Sequence, residues 1–562
     1  MSVRPRRLAF AMGLGVAAAL LAAPLVSVAA PAAVLAPAQS INLAVVVPLS
    51  VPGGREGFID AATLEDYTRP GGLLFRELDA LVGTPAAIGI DPMIIASIRL
   101  LGSNAPEDAI TWLERLRAAD NETFALTYAD SDLTIGMQAG SRAPLGPGSF
   151  DFAIDPGLFN TDPEATPDPG QTPSPGDIPA LPTTADLLDW AYTLESVAWP
   201  QPSTTTTGDL EKLAASEYTT AILNSGNVAR VPNGRTHVTV ADTSTIVTDD
   251  ALSGLFARTI EAQSTLEWQE SFASLAAGVA KVQARSGSTA GSVVLAVGRS
   301  DVDSSSRLRA TLTALDTLPA VSPTTLTSIL AETPAAATIV ESPHSEVRVD
   351  LAKSMLRAES ADAAFATVAE NPALITGERR IRMLAALAPQ WNRYPGGWGN
   401  EIAGFIADSE SLHNSVRLGD SSDLILGDRG PLPINVTNDL DQPVTVYITV
   451  EPQTPLLTVE DSRFELVIPP LSQGRAAILA VARSNGLVDL EITLRTSSGQ
   501  QIGATNTVTT NVQAGWEGPV TIVIGILVIG VFGFGVFRTI VRRLQARAAA
   551  AAPPPTDDPE SE

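Results

Sequence analysis

Asn42-Leu43-Ala44-Val45-Val46-Val47-Pro48-Leu49 is a continuous apolar run, closed a few residues on by Pro52-Gly53-Gly54. A run of this length without alternation reads as a strand covered on both faces, the arrangement of a parallel sheet flanked by helices. The pattern returns down the chain. Residues 86–90 lead into Asp91-Pro92, residues 124–126 into Tyr128-Ala129-Asp130-Ser131-Asp132, and residues 150–154 into Asp155-Pro156. Residues 237–241 lead into Asp242, and residues 292–297 into Gly298-Arg299-Ser300-Asp301. Between such runs lie stretches of helical spacing, as at Ile110, Leu113 and Leu116 and again over 249–283. Strand and helix therefore alternate, which predicts an α/β barrel, complete or incomplete, over residues 39–340. Its interruption at 155–182 is rich in Pro, Asp, Thr and Gly and reads as a disordered insertion.

Past residue 340 the periodicity is helical to about 425, with Ile381, Leu384 and Leu387 on one face. Trp391, Tyr394 and Trp398 gather there around Pro395-Gly396-Gly397, as core residues or as a surface that stacks on a sugar. The period then changes to two. Val444, Val446, Ile448 and Val450 alternate with polar residues, as do Val488, Leu490, Ile492 and Leu494, and this predicts an immunoglobulin-like β-sandwich at 426–514.

The two ends concern membranes. Residues 519–537 are apolar apart from Thr521 and are followed by Arg538, Arg542 and Arg543. About 20 residues at a rise of 1.5 Å reach roughly 30 Å, the thickness of a hydrocarbon core, so a transmembrane helix is expected at 515–541. The arginines place the tail, 542–562, in the cytoplasm. Arg4, Arg6 and Arg7 precede an apolar stretch and small residues, the pattern of a signal peptide over 1–38 with Ala36-Pro37-Ala38 or Ser27-Val28-Ala29 at its cleavage site. The expected location is the cell membrane, single-pass, with the ectodomain outside.

Composition excludes several chemistries. A net charge of -26, from 36 Lys and Arg against 62 Asp and Glu, is unsuited to nucleic acid. With no cysteine and three well-separated histidines, His237, His344 and His413, no metal site and no cofactor is expected. No serine sits in a Gly-x-Ser-x-Gly elbow. In a barrel, function sits at the C-terminal ends of the strands. The candidate catalytic carboxylates are therefore Asp91, Asp130, Glu195 and Asp242, with Trp190, Tyr192 and Trp199 as candidate stacking residues. For Asp91 and Asp155 the competing role is helix capping, since each precedes a proline. Glu195 and Asp242 have no such duty and are the stronger catalytic candidates.

Ile-Asp-Pro at 90–92, Trp-Leu-Glu-Arg-Leu-Arg at 112–117, Tyr-Ala-Asp-Ser-Asp-Leu at 128–133 and Val-Ala-Trp-Pro at 197–200 occur in that order. They are followed by Val-Thr-Asn-Asp-Leu-Asp-Gln-Pro-Val-Thr-Val at 436–446 and Trp-Glu-Gly-Pro at 516–519. In these the chain resembles a family of exported, membrane-anchored actinobacterial proteins that are often encoded beside the lipid II flippase. The resemblance implies a place in the cell envelope and a link to peptidoglycan assembly, and it brings no catalytic residues. The barrel is also loosely similar to polysaccharide deacetylase and glycosidase barrels, but the metal-binding His-x-x-x-His of deacetylases is absent. Two functions are expected from this. One is binding of an envelope glycan or a protein partner such as the flippase machinery; the other is glycoside hydrolysis through a carboxylate pair.

Overall fold

The computed structural model describes residues 40–549 apart from 53, 160–180, 230, 232–234, 287–290, 300–306, 394, 420–423, 427–428, 462 and 514–516. The expected signal peptide, the cytoplasmic tail beyond 549 and most of the expected insertion lie outside the described residues. So do Tyr394 and Asp301.

Among the described residues, twelve strands precede the helical region. They are β1 (Ile41–Leu49), β2 (Ala87–Ile90), β3 (Thr123–Ala125), β4 (Val197–Ala198), β5 (Thr220–Asn224) and β6 (Val228–Ala229), then β7 (His237–Val240), β8 (Thr243–Thr248), β9 (Ser292–Ala296), β10 (Val321–Pro323), β11 (Ala335–Ala336) and β12 (Thr338–Ile339). The opening run is β1, buried from Leu43 to Leu49 as its lack of alternation predicts. It pairs in parallel with β2 and β9, and β2 with β3. A second sheet runs β4, β5, β8 in parallel.

Backbone hydrogen bonds join the two sheets at both sides. The amides of Thr193 and Leu194, just before β4, donate to the Thr123 carbonyl of β3 at 3.0 and 2.9 Å, and the Asp249 amide, just after β8, donates to Val294 of β9 at 3.0 Å. Alternate residues then separate into two cores. Ala44 and Val46 of β1 join Phe124, Val197, Ile222, Ile246 and Val294 in a cluster drawn from both sheets. Their neighbours Val45 and Val47 join Ile88, Ile90, Val293 and Leu295 under the helices.

Not all strands run the same way: β7, with β11 parallel to it, runs against β8, and β12 runs against β6. β7 and β8 form an antiparallel hairpin whose two-residue turn is Ala241-Asp242, at φ 46° and 63°. Two consecutive positive φ values are those of a type I′ turn, the tight turn that matches strand twist. The strand that joins β5 is therefore β8 and not β7, and this moves Asp242 to the start of a parallel strand.

Helices Glu346–Phe365, Pro372–Ala386 and Pro395–His413 follow. Trp398 is buried in their core and its indole donates to the Ala386 carbonyl at 2.8 Å. Arg379 is buried there, donating from Nε to Asp362 Oδ2 at 2.6 Å and from Nη2 to Ser409 Oγ at 2.7 Å.

The remaining strands are β13 (Val416–Leu418), β14 (Leu424–Leu426), β15 (Arg429–Asn438), β16 (Val444–Pro452) and β17 (Leu457–Val459), then β18 (Arg463–Ile468), β19 (Ser472–Ala482), β20 (Gly486–Arg495) and β21 (Gln501–Val512). They form sheets ordered β13-β15-β19-β17 and β14-β21-β20-β16-β18. Val446, Ile448, Ile434, Ile478, Leu490 and Ile492, from both sheets, share one core. The period-two residues point into it, and β13 and β14 lie ahead of residue 426, where the β region was expected to begin. The paired sheets are tied to the helices by the Glu370 amide on the Pro443 carbonyl at 3.0 Å and by an Ala369–Val444 bridge. Helix Glu517–Ala549 then contains one segment, Val520–Arg547, long and apolar enough to cross a membrane. Its apolar side chains are exposed, Ile529 at 72% and Phe532 at 75%, where a folded core would hide them.

Candidate functional site

The C-terminal ends of β1, β3 and β9 meet the helical region around a cavity of about 620 Å³, lined by Ser50 to Pro52, Ala129, Asp130, Arg299, Trp391 and Glu401 among others. That volume lies within the range of ordinary ligand pockets, and a seam between structural units is a usual place for one. Local geometry presents each charged group. The chain after β3 turns through Ala129 and Asp130 at φ 55° and 44°, two consecutive left-handed residues that are not glycine. Such conformations cost about 1–3 kcal/mol each and persist where the surroundings hold them. Here the Asp130 amide donates to the Thr127 carbonyl at 2.9 Å, and the next one but one, Asp132, donates to Leu387 of the helical region at 2.9 Å.

Asp130 Oδ1 accepts from Arg299 Nε at 3.0 Å, with both side chains no more than 10% exposed. Arg299 Nη2 donates to the Trp199 carbonyl at 2.7 Å, and the guanidinium lies 3.8 Å from the centre of the Trp199 ring. Burial pushes the Asp130 carboxyl above its ordinary range, against the charge and hydrogen bond of Arg299, which pull it back. Across the seam Arg55 Nε faces Glu401 Oε2 at 3.1 Å. Each carboxylate lining the cavity is thus engaged by an arginine.

Below the floor sits Asp91, wholly buried, whose Oδ1 accepts from the Met93 amide at 2.9 Å. It caps helix Pro92–Leu100, with Pro92 at the first helical position. Burial drives its carboxyl well above the usual range and the Asp130 charge adds to this, opposed by the facing amides of Met93, Ala129 and Asp130. Asp132 behaves in the opposite way. Burial pushes it up, but His344 and the amides of Ile135 and Thr134 outweigh this and hold it below the usual range. Its Oδ2 lies 3.2 Å from His344 Nε2 and accepts from Gln201 Nε2 at 3.0 Å. This cluster bolts the lead-in to helix Glu346–Phe365 onto the mouth of the strands.

Of the four carboxylates singled out in the sequence, only Asp130 lines this cavity, with Asp91 packed beneath it. Glu195 and Asp242 are elsewhere. Both are exposed and immediately precede strands, Glu195 before β4 and Asp242 in the β7–β8 turn, so they sit at N-terminal strand ends. The antiparallel hairpin is the physical reason for Asp242: residues 237–240 look like one more parallel strand and are instead the first arm of a hairpin that returns through β8. The aromatics divide similarly. Trp199 is at the mouth under Arg299, stacked obliquely on Phe124 at 5.8 Å. Trp190 packs under Arg117 at 5.3 Å, and Tyr192 lines a separate cavity of about 330 Å³ with Glu195. Arg299, Trp391 and Glu401 complete the site. Arg299 follows a strand-ending Gly298, a signal available in the sequence; Glu401 sits within a helix and carries none.

Residues 80–557 match a family of unknown function, DUF6049. The chain belongs to this family. No curated protein matches it. Among solved structures, native alpha-2-macroglobulin from Escherichia coli is 17% identical over 18% of this chain, which spans 7% of that protein, at a TM-score of 0.15. The E. coli chaperone DraB is 16% identical over 18% of this chain and 55% of its own, at a TM-score of 0.14. The α-amylase AmyC from Thermotoga maritima is 8% identical over 67% of this chain and 93% of its own, at a TM-score of 0.42. At these scores none of the likenesses bears on activity.

Proposed function

We propose that this chain is a single-span cell-envelope protein whose α/β unit binds a glycan in the cavity lined by Asp130 and Arg299. In this reading β1, β2, β3, β4, β5, β8 and β9 close a seven-stranded parallel barrel, and the paired sheets are an immunoglobulin-like sandwich standing above the membrane. The apolar helix crosses the membrane with Arg538, Arg542 and Arg543 on the cytoplasmic side.

The observation that carries the reading is the lining of the cavity. Two ion pairs, Asp130 with Arg299 and Arg55 with Glu401, supply donors and acceptors with no net charge, and Trp391 adds an aromatic wall. Such a surface suits a neutral, hydroxyl-rich ligand, whose rings offer polar edges and apolar faces. Hydrolysis needs two carboxyl groups facing each other about 5–10 Å apart, one free to hold a proton and one to act as base or nucleophile. The carboxylates that line this cavity are Asp130 and Glu401, and an arginine holds each, so binding without cleavage is the favoured activity. The placement in cell-wall assembly, with the lipid II flippase machinery as neighbour, rests on the family resemblance of the sequence.

The test is sedimentation of the full-length protein, in detergent, with purified peptidoglycan or arabinogalactan, alongside an assay for new reducing ends. Retention without release, weakened by Trp391→Ala, is the expected result. Release of reducing ends that disappears in Asp130→Asn would establish a hydrolase instead. Retention on neither polymer would overturn the glycan reading in favour of a protein partner.

A further inference from the structure

Arg299 borders two cavities. On one side is the large one described above; on the other is a smaller one of about 150 Å³, whose lining includes Trp199, Pro200, Asn224, Asp250, Ser253 and Gly254. The smaller cavity gathers the C-terminal ends of β4, β5, β8 and β9, so both open on the same end of the strands. At that volume it has room for several water molecules, and so for a small polar ring. Between the two, the Arg299 guanidinium lies 3.8 Å from the centre of the Trp199 ring and is fixed by Asp130 and the Trp199 carbonyl.

We infer that the site takes a chain of linked sugar units, one in each cavity, crossing over Arg299; this rests on the glycan reading above. The second cavity is built for such a unit. Asp250 lines it, and its Oδ2 accepts from Asn224 Nδ2 at 2.7 Å and from the Gly226 amide at 3.0 Å, which holds the carboxylate in place at the cavity wall. Pro200, Ile222 and Ala257 add apolar lining. A ligand one unit long fills one cavity only, whereas a longer one gains the contacts of both without a second loss of translational freedom.

Gly254 allows a clean test. It lies within helix Asp250–Ile260, and an added Cβ there meets nothing within 4 Å. Because Gly254 also lines the small cavity, Gly254→Leu puts a side chain at the cavity wall without a clash at Cβ and favours the helix. The probes are N-acetylglucosamine and its β-1,4-linked oligomers of two to five units, titrated onto the full-length protein in detergent, with the melting curve of the variant recorded alongside. Affinity is expected to rise by about tenfold between one unit and the length that spans both cavities, and this gain is expected to vanish in Gly254→Leu. Equal affinity for all lengths, or a gain that survives in Gly254→Leu, overturns the second cavity and leaves the single-cavity reading standing. Absence of binding at every length overturns both.

Discussion

Replacing Arg299 by leucine removes the cation that faces Asp130 and leaves a carboxyl whose side chain is 10% exposed without its partner. Breaking a buried pair from one side costs about 3–5 kcal/mol, because the surviving charge stays in a poorly solvated place. At about 2 °C per kcal/mol, the lower conversion that suits a large folded unit, the melting temperature falls by about 6–10 °C. The sign with pH follows from Asp130. Burial already raises its carboxyl and Arg299 opposes that rise, so the variant's folded-state pKa moves further above the unfolded one. A group raised on folding stabilises the native state below the unfolded pKa, about 3.9, and that contribution is lost as pH climbs through the folded pKa. The deficit of Arg299→Leu is therefore largest at pH 8 and shrinks toward pH 5. Asp130→Asn placed in the same chain removes the charge altogether and restores most of the loss. Melting followed by tryptophan fluorescence between pH 5 and 8 measures all three proteins. A deficit that is constant across this range and is not relieved by Asp130→Asn would rule out a stranded Asp130 charge as its cause.

Asp362 offers a carboxylate shifted the other way. Burial pushes it up, but His413, Arg379 and Ser409 together hold it below the ordinary range, so its contribution to stability is present above the unfolded pKa and is lost as pH falls through the folded one. Asp362→Asn strands Arg379 and should cost about 3–5 kcal/mol at pH 7, with a flatter loss of stability in acid, as read by urea denaturation from pH 7 to pH 3. Asp242→Gly suits the positive φ of the turn, so glycan retention is expected to be unchanged and stability to shift by less than about 1 kcal/mol; lost retention would return Asp242 to the site.

The α/β elements were legible because burial on two faces leaves a mark on the sequence. The runs at 42–49, 86–90 and 292–297 match β1, β2 and β9 to within a residue at either end, and the alternation at 444–450 and 488–494 lies in β16 and β20. What the sequence does not encode locally is strand direction. Residues 237–240 carry the same β-branched character as a parallel strand, and only the pairing with 243–248 reveals a hairpin, which removed Asp242 from the mouth. The site was partly legible for a related reason. Asp91 and Asp130 follow strands and could be placed by position, whereas Glu401 reaches the cavity from a helix more than 270 residues beyond Asp130, by packing between units that no local pattern records.

The pairing of β14 with β21 has a mechanical meaning. β14 lies near the point where the chain enters the paired sheets, β21 is the strand by which it leaves toward the apolar helix, and the two run parallel with Leu426 opposite Val512. A pull between the helical region and the segment after Val512 draws these neighbours in opposite senses along their length. The hydrogen bonds between them are then loaded together, in shear, and do not open one at a time as in a peeled hairpin. A pull on the chain between the helical region and the apolar helix is thus borne by these hydrogen bonds as a set.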